Sequence, residues 1–221
     1  METIPSESEC YPAKLAHGHV QWLIDQGVKT IFYPCVFYEH QEAGGAQNHY
    51  NCPIVTSYPE NLKNNVEAVA RGEVHYIRPF IAFTNERVTG DRLSRLCQEE
   101  WGIPEREVRI AVRLAWEAQH QAKLDIRREG ARILGEMESK GERGIVLAGR
   151  PYHIDPEINH GIDRLLCDLG AVVLTEDAVA GKVRPFRTTV LNQWTYHARL
   201  YAAAKYVAGN REQKIDLVQL V

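Results

Sequence analysis

The five cysteines divide into two kinds by their neighbours. Cys97 and Cys167 lie within helix-like apolar periodicity, in RLSRLCQEEW and DRLLCDLG, whereas Cys10, Cys35 and Cys52 lie at turn-like junctions, in SECYPAK, YPCVFYE and YNCPIV. Thiols at strand ends and in proline-containing turns can converge on one point, and three thiolates with a fourth ligand hold zinc or an iron–sulfur cluster. The spacing is not Cys-x-x-Cys, which argues against a zinc ribbon. Ligands delivered singly from separate loops suit a cluster better than a small structural zinc. The competing reading makes all three small buried hydrophobes, as free cysteine often is.

The surroundings of these thiols are polar. Glu9, Tyr11, Lys14, Tyr33, Tyr38, Glu39 and Tyr50 crowd the same loops, together with four histidines. His17 and His19 are two apart on a predicted helix and therefore point to different faces. His40 and His49 flank a loop containing Gly44 and Gly45, with enough reach for a metal. Taken singly, each histidine is as readily a surface or hydrogen-bonded residue.

A second loop, GRPYHIDPEINHG, follows a predicted strand as phosphate-binding loops do, but it lacks both Gly-x-Gly-x-x-Gly and the Gly-Lys-Ser/Thr ending. Arg150 suits a phosphate or carboxylate, and His153, Asn159 and His160 offer polar groups near a helix start. These residues make Arg150, His153 and Asn159 the candidate cofactor-binding set. Alternatively, Gly149, Pro151 and Pro156 shape the turn and Arg150 is solvated. Trp22, Trp101, Trp116 and Trp194 lie on helical apolar faces and read as core. No Gly-x-Ser-x-Gly elbow is present, so nothing supports a hydrolase.

The elements that position these residues follow from periodicity. Lys14 to Gln26 is helical, with Pro12 at its start and Gly27 as its stop. Thr30 to Pro34 reads as a buried strand with Cys35 just past its end. Pro53 to Ser57 reads as a second strand, Pro59 opens a short helix, and Val74 to Ala82 is a third strand interrupted by Pro79. Arg87 to Lys140 is helix-rich and split by Gly102 and Pro104. Its second part carries Val108, Ala111, Val112, Ala115, Ala118 and Ala122 as a stripe. RGIVLAG is a strand, Ile158 to Leu169 a helix, AVVLTE a strand, and Val190 to Val207 a helix before the terminal strand KIDLVQLV.

This order predicts an α/β fold: two Rossmann-like lobes, mainly parallel sheets flanked by helices, joined by a helical segment. The lobes are expected at residues 1–85 and 141–221, with a connector at 86–140. Ligands of such sheets bind beyond the carboxyl ends of the strands, where Cys35, Arg150 and Glu176 fall. The apolar terminal strand suggests a domain excised from a longer polypeptide.

Bulk properties narrow the class. The chain has 221 residues, 44% hydrophobic and 25% charged, with a net charge of −3. It has no polybasic tail, so nucleic acid is not expected, and no apolar run approaches the ~20 residues that span a membrane. METIPSESEC has neither a basic nor an apolar leader region. An odd cysteine count without a secretion signal favours a reducing, cytoplasmic setting.

Read together, SECYPAKLAHGHV, IFYPCVFYE, NHYNCPIVTSYPE and GRPYHIDPEINHGI resemble the uncharacterised domain of CoA-substrate-specific enzyme activases, related to the 2-hydroxyglutaryl-CoA dehydratase system. The chain is similar, more distantly, to the iron–sulfur subunits of 2-hydroxyacyl-CoA dehydratases and to double-cubane-cluster proteins. The resemblance implies Rossmann-like lobes with a cluster, 4Fe–4S or double-cubane, held at their junction. It implies Cys10 and Cys35 as ligands, Cys52 as a third, and a further cysteine past Val221. It also implies an ATPase activase module as partner, in the same longer chain or as a separate subunit, with an acyl-CoA substrate and a homodimer as further expectations. The ATPase motifs themselves are absent here, so ATP hydrolysis does not carry over. The reading that follows is an electron-transfer or dehydratase-like component, not active alone. Its alternatives are a metal-free Rossmann-like scaffold for a partner protein or CoA-type ligand, and a mononuclear zinc site.

Overall fold

Cys10 is the N-cap of the first helix, α1 (Tyr11–Asp25), whose Pro12 needs no hydrogen-bond acceptor in the first turn. Ala13, Ala16, His17 and Val20 form its buried face, and Gly27, at φ 81°, takes the left-handed turn that ends it. Residues 10–220 are described, in a computed structural model. They form two units: one takes the chain to His40 and again Tyr50–Val112, and the other takes Gln41–His49 and the chain from Arg113 onward.

In the first unit, β1 (Thr30–Phe32) and β2 (Cys35–Tyr38) run parallel to β3 (His75–Ile77) and β4 (Phe80–Ala82). Phe32 stands opposite Ile77 and Cys35 opposite Phe80, so both pairs share one register. Tyr33 N donates to Ile77 O at 2.8 Å and Cys35 N to Pro79 O at 2.9 Å, bridging the gap between them. The gap exists because Pro79 has no N–H to return to the strand opposite. The expected Val74–Ala82 strand is therefore two strands, and Cys35 opens β2 rather than trailing β1.

The segment expected as a strand at Pro53 to Ser57 is instead the start of α2 (Pro53–Asn65). β-Branched Ile54, Val55 and Thr56 suggest a strand, but Cys52 as N-cap and Pro53 at the first helical position set helical geometry. Pro59 lies within this helix rather than opening it. Tyr58 and Leu62 of α2, Val69 of α3 (Glu67–Ala70) and Val66 between them pack with Ala13, Val20, Ile31 and Val74 into one core. α4 (Glu86–Trp101) is capped by Asn85, whose side chain accepts from Val88 N, and ends at Gly102. The 36-residue α5 (Glu105–Lys140) begins in this unit and continues in the second.

The second unit is built on β5 (Arg143–Ala148), β6 (Ala171–Thr175) and β7 (Ile215–Gln219), a parallel sheet in the order β6-β5-β7. After β5 come a 3-10 turn (Pro151–Ile154), α6 (Pro156–Asn159) and α7 (Ile162–Asp168). The expected single helix over Ile158 to Leu169 is broken because His160 (φ 54°) and Gly161 (φ 75°) are both left-handed. α8 (Glu176–Ala180) follows β6, and α9 (Thr195–Gly209) starts later than expected, past an irregular stretch. Leu134 and Met137 of α5, Val146, Leu174, Val179, Ala203, Tyr206, Val207 and Ile215 form the core. Gly130 lets α5 approach α8: a Cβ there would stand 2.7 Å from Ala178 Cβ.

The result is a mixed α/β fold, with small parallel sheets flanked by helices. Two tryptophans read as core are not: Trp22 is 60% and Trp101 47% exposed. Of the α5 stripe, Val108 and Val112 are buried while Ala111, Ala115, Ala118 and Ala122 face outward. No helix among the described residues is long and apolar enough to cross a membrane.

Candidate functional site

Cys10 and Cys52 occupy the same structural position on two helices. Each is the N-cap, each is followed by proline in the first turn, and neither side chain bonds its own helix. Cys10 reaches Tyr58, on the second turn of the helix that Cys52 caps. Tyr58 Oη lies 3.7 Å from Cys10 Sγ. Burial holds its phenol well above the usual tyrosine range, reinforced by the hydrogen bond to Cys10 and the nearby Cys10 and Cys52 thiols.

Asn51 fixes Cys52. Only 4% exposed, it accepts from Cys52 N at 2.8 Å and donates from Nδ2 to Val36 O and Glu39 Oε1, both at 3.2 Å. Thr56 Oγ1 donates to Val36 O at 2.9 Å. The start of α2 is thereby tied to β2, the strand that Cys35 opens. Tyr50 stacks on Tyr38 of the same strand, ring centres 4.6 Å apart.

Cys35 is fully buried. Burial pushes its thiol pKa up, Glu60 adds to the rise, and Arg78 opposes it. Arg78 and Glu60 pair with each other at 2.8 Å. Burial also raises the Tyr33 phenol, with Cys35 as the second cause. The three predicted thiols thus share one unit, but not one metal-binding point. Among the described residues no three His, Cys, Asp or Glu side chains stand close enough to hold a metal ion. The donor types suit a thiolate-ligated cluster; their arrangement does not yet form a ligand set.

Of the histidines, His17 is 2% exposed and its Nδ1 lies 2.9 Å from Ala13 O. A carbonyl only accepts, so Nδ1 is the donor of that bond, while Nε2 is buried without a partner. The Gly44–Gly45 loop belongs to the second unit, where Gly45 packs against Phe186.

The second predicted set lies at the carboxyl edge of the three-stranded sheet. Arg150 stands two residues past β5, and its backbone N–H donates to His153 Nδ1 at 3.0 Å. Gly149 is required there, since a Cβ would stand 2.5 Å from that nitrogen. Asn159, 3% exposed, accepts from Gly161 N at 2.7 Å, leaving its Nδ2 buried and unpartnered. α9 runs back from this edge to the start of β7, placing Thr195 and His197 at the same edge. His197 Nδ1 and Thr195 Oγ1 are likewise buried without partners. His153 and His197 are both held below the usual imidazole range, first by burial and then by the charge of Arg150.

Sequence reasoning missed Tyr58, Asn51 and His197. The repeated Cys followed by Pro within two residues was the available signal for the two helix caps. Nothing local announced His197, which reaches the β5 loop only through the crossover of α9.

Neither a curated protein nor a solved structure gives a significant match to this sequence. Residues 1–179 match the profile of the CoA enzyme activase uncharacterised domain (DUF2229). That match takes in both the paired cysteine caps and the loop beyond β5, and the chain belongs to this family of CoA enzyme activase domains.

Proposed function

We propose that this domain carries a thiolate-ligated iron–sulfur cluster, 4Fe–4S or double-cubane, and serves as an electron-transfer or dehydratase-like component of a CoA enzyme activase system. The observation that carries the reading is the pair of cysteine-capped helices in one unit with Cys35, Cys10 being in contact with Tyr58 of the helix that Cys52 caps. Helix N-termini favour bound anions, and a thiolate-ligated cluster is anionic. Ligation draws Cys10, Cys35 and Cys52 together and takes any further ligand from outside the described residues. When bound, such a cluster supplies electrons at low potential.

In this reading the two units are Rossmann-like lobes and the domain works in the cytoplasm, where thiols remain reduced. Its partner is an ATPase activase module, in a longer chain or a separate subunit, and it works as a homodimer. Arg150, His153 and Asn159, with His197, receive the anionic end of an acyl-CoA-type ligand beyond β5. Arg150 supplies the charge, while two neutral imidazoles and an amide donate hydrogen bonds.

The test is anaerobic reconstitution with iron and sulfide, followed by iron and acid-labile sulfide assays and a visible spectrum. Stoichiometric iron and broad visible absorbance, both lost in Cys10→Ser/Cys35→Ser, are expected. A colourless, iron-free protein would count against the cluster and leave the second reading, a metal-free binding scaffold. That reading is favoured by the separation of the thiols and predicts CoA binding that the cysteine substitutions leave unchanged. Stoichiometric zinc without colour would point to a mononuclear site instead.

A further inference from the structure

A cavity of about 150 Å³ opens within the second unit between α5, α8 and α9. It is distinct from the thiols and from the loop beyond β5. Lys123, Arg127 and Arg199 bring three cations to its wall, against the carboxylates of Glu42 and Asp177. Both carboxylates are already engaged: Glu42 pairs with Lys123 at 2.6 Å, and Asp177 accepts from Thr175 Oγ1 at 2.5 Å.

The two guanidinium groups are not fully used. Arg199 gives Nη2 to Glu176 at 2.6 Å, but its Nε is buried with no partner. Arg127 forms no ion pair with any described residue and lies against Gly181, where a Cβ would stand 3.0 Å from its Nε. Leaving a buried charged donor unpaired costs free energy that a bound acceptor recovers. Ile126 and Ala180 complete an apolar flank.

We propose that this cavity binds a small oxoanion through Arg127 and Arg199, with Lys123 supplying further charge. Planar guanidinium groups match carboxylate and phosphate oxygens with paired donors. The volume admits such a head group and not a whole nucleotide, since sites for drug-sized ligands occupy roughly 300–1,000 Å³. The inference is independent of the cluster proposal, because all of the lining residues belong to the second unit and the three candidate thiols to the first.

The experiment is titration calorimetry on the full chain with inorganic phosphate and, separately, with acetate and succinate, at ionic strength fixed with chloride. Saturable binding of phosphate alone assigns a phosphate site, and tighter binding of a carboxylate assigns a carboxylate site. Arg127→Gln removes no ion pair and is expected to weaken binding roughly ten- to a hundredfold, the range of one charge-assisted hydrogen bond. Arg199→Lys keeps the charge beside Glu176 while removing Nε, and is expected to weaken binding with little change in melting temperature. Absence of saturable binding to all three anions overturns the proposal, as does binding that Arg127→Gln leaves unaltered.

Discussion

Arg199 on α9 and Glu176 at the start of α8 form an ion pair at 2.6 Å with side chains only 11% and 5% exposed. Burial raises the Glu176 carboxyl above the usual range, although Arg199 pulls it the other way. The charge of Arg199 is what makes an ionised Glu176 tolerable in that position.

Replacing Arg199 by leucine should therefore destabilise the fold by about 3–5 kcal/mol, the cost of stranding a buried charge. Without Arg199 the carboxyl pKa rises further, so the folded state binds its proton more tightly than the unfolded chain does. Stability of the variant then falls as pH rises from the ordinary carboxyl range, and its deficit grows with pH. Urea melts of parent and variant at acidic and neutral pH measure that trend; a pH-independent deficit would contradict it.

His153 and His197 show the opposite linkage. Their folded-state pKa values lie below the unfolded value of about 6.5. The unfolded chain therefore binds more protons in that window, and stability is lost as pH falls from about 6.5 towards the folded values. His197→Gln should flatten the slope of stability against pH between about pH 5 and 7, most visibly in denaturant melts. An unchanged slope would show that His197 is not held neutral.

The cysteines should react in the order of their exposure. Cys10 and Cys167 are exposed, Cys52 and Cys97 half-buried, and Cys35 fully buried with a raised pKa. Timed alkylation followed by peptide mass spectrometry should label Cys10 and Cys167 first. Cys35 should be labelled only at the rate of unfolding. Early labelling of Cys35 would mean that its strand opens readily.

Asn51→Ala removes three hydrogen bonds that fasten Cys52 to β2 and to Glu39 just past it. The expected cost is about 1–3 kcal/mol, since Cys52 N–H loses its side-chain partner and Val36 C=O keeps only Thr56 of its two side-chain donors. Amide exchange at Cys52 should accelerate by more than exchange in α9, which tells local loosening from general destabilisation.

The sequence carried the larger part of the fold through periodicity and turn chemistry. α1, β1, β5, β6 and β7 lie where apolar spacing and Gly27 or Gly149 put them. It misled at Pro53 because Ile54, Val55 and Thr56 favour a strand locally, whereas the helix is decided by its cap and its proline. It misled at Trp22 and Trp101 because a helical stripe gives spacing and not which stripe is covered. The three thiols and Arg150 were legible as residue types at turns. That Cys10 reaches Tyr58 of the helix capped by Cys52 was not, because the relation joins residues 48 apart and depends on how two helices are placed.

Pro34 lies between Tyr33 and Cys35, whose N–H groups both bond across the ladder. In the alternation of a strand, the nitrogen of Pro34 faces the other way, towards the side on which Val36 O accepts from Asn51 and Thr56, and carries no hydrogen. A two-stranded ladder is mostly edge, and edges recruit foreign strands. At this rung the outer rim offers no donor to an incoming chain, so a segment whose side chains include Phe32 and Phe37 is guarded against templated self-association at its midpoint.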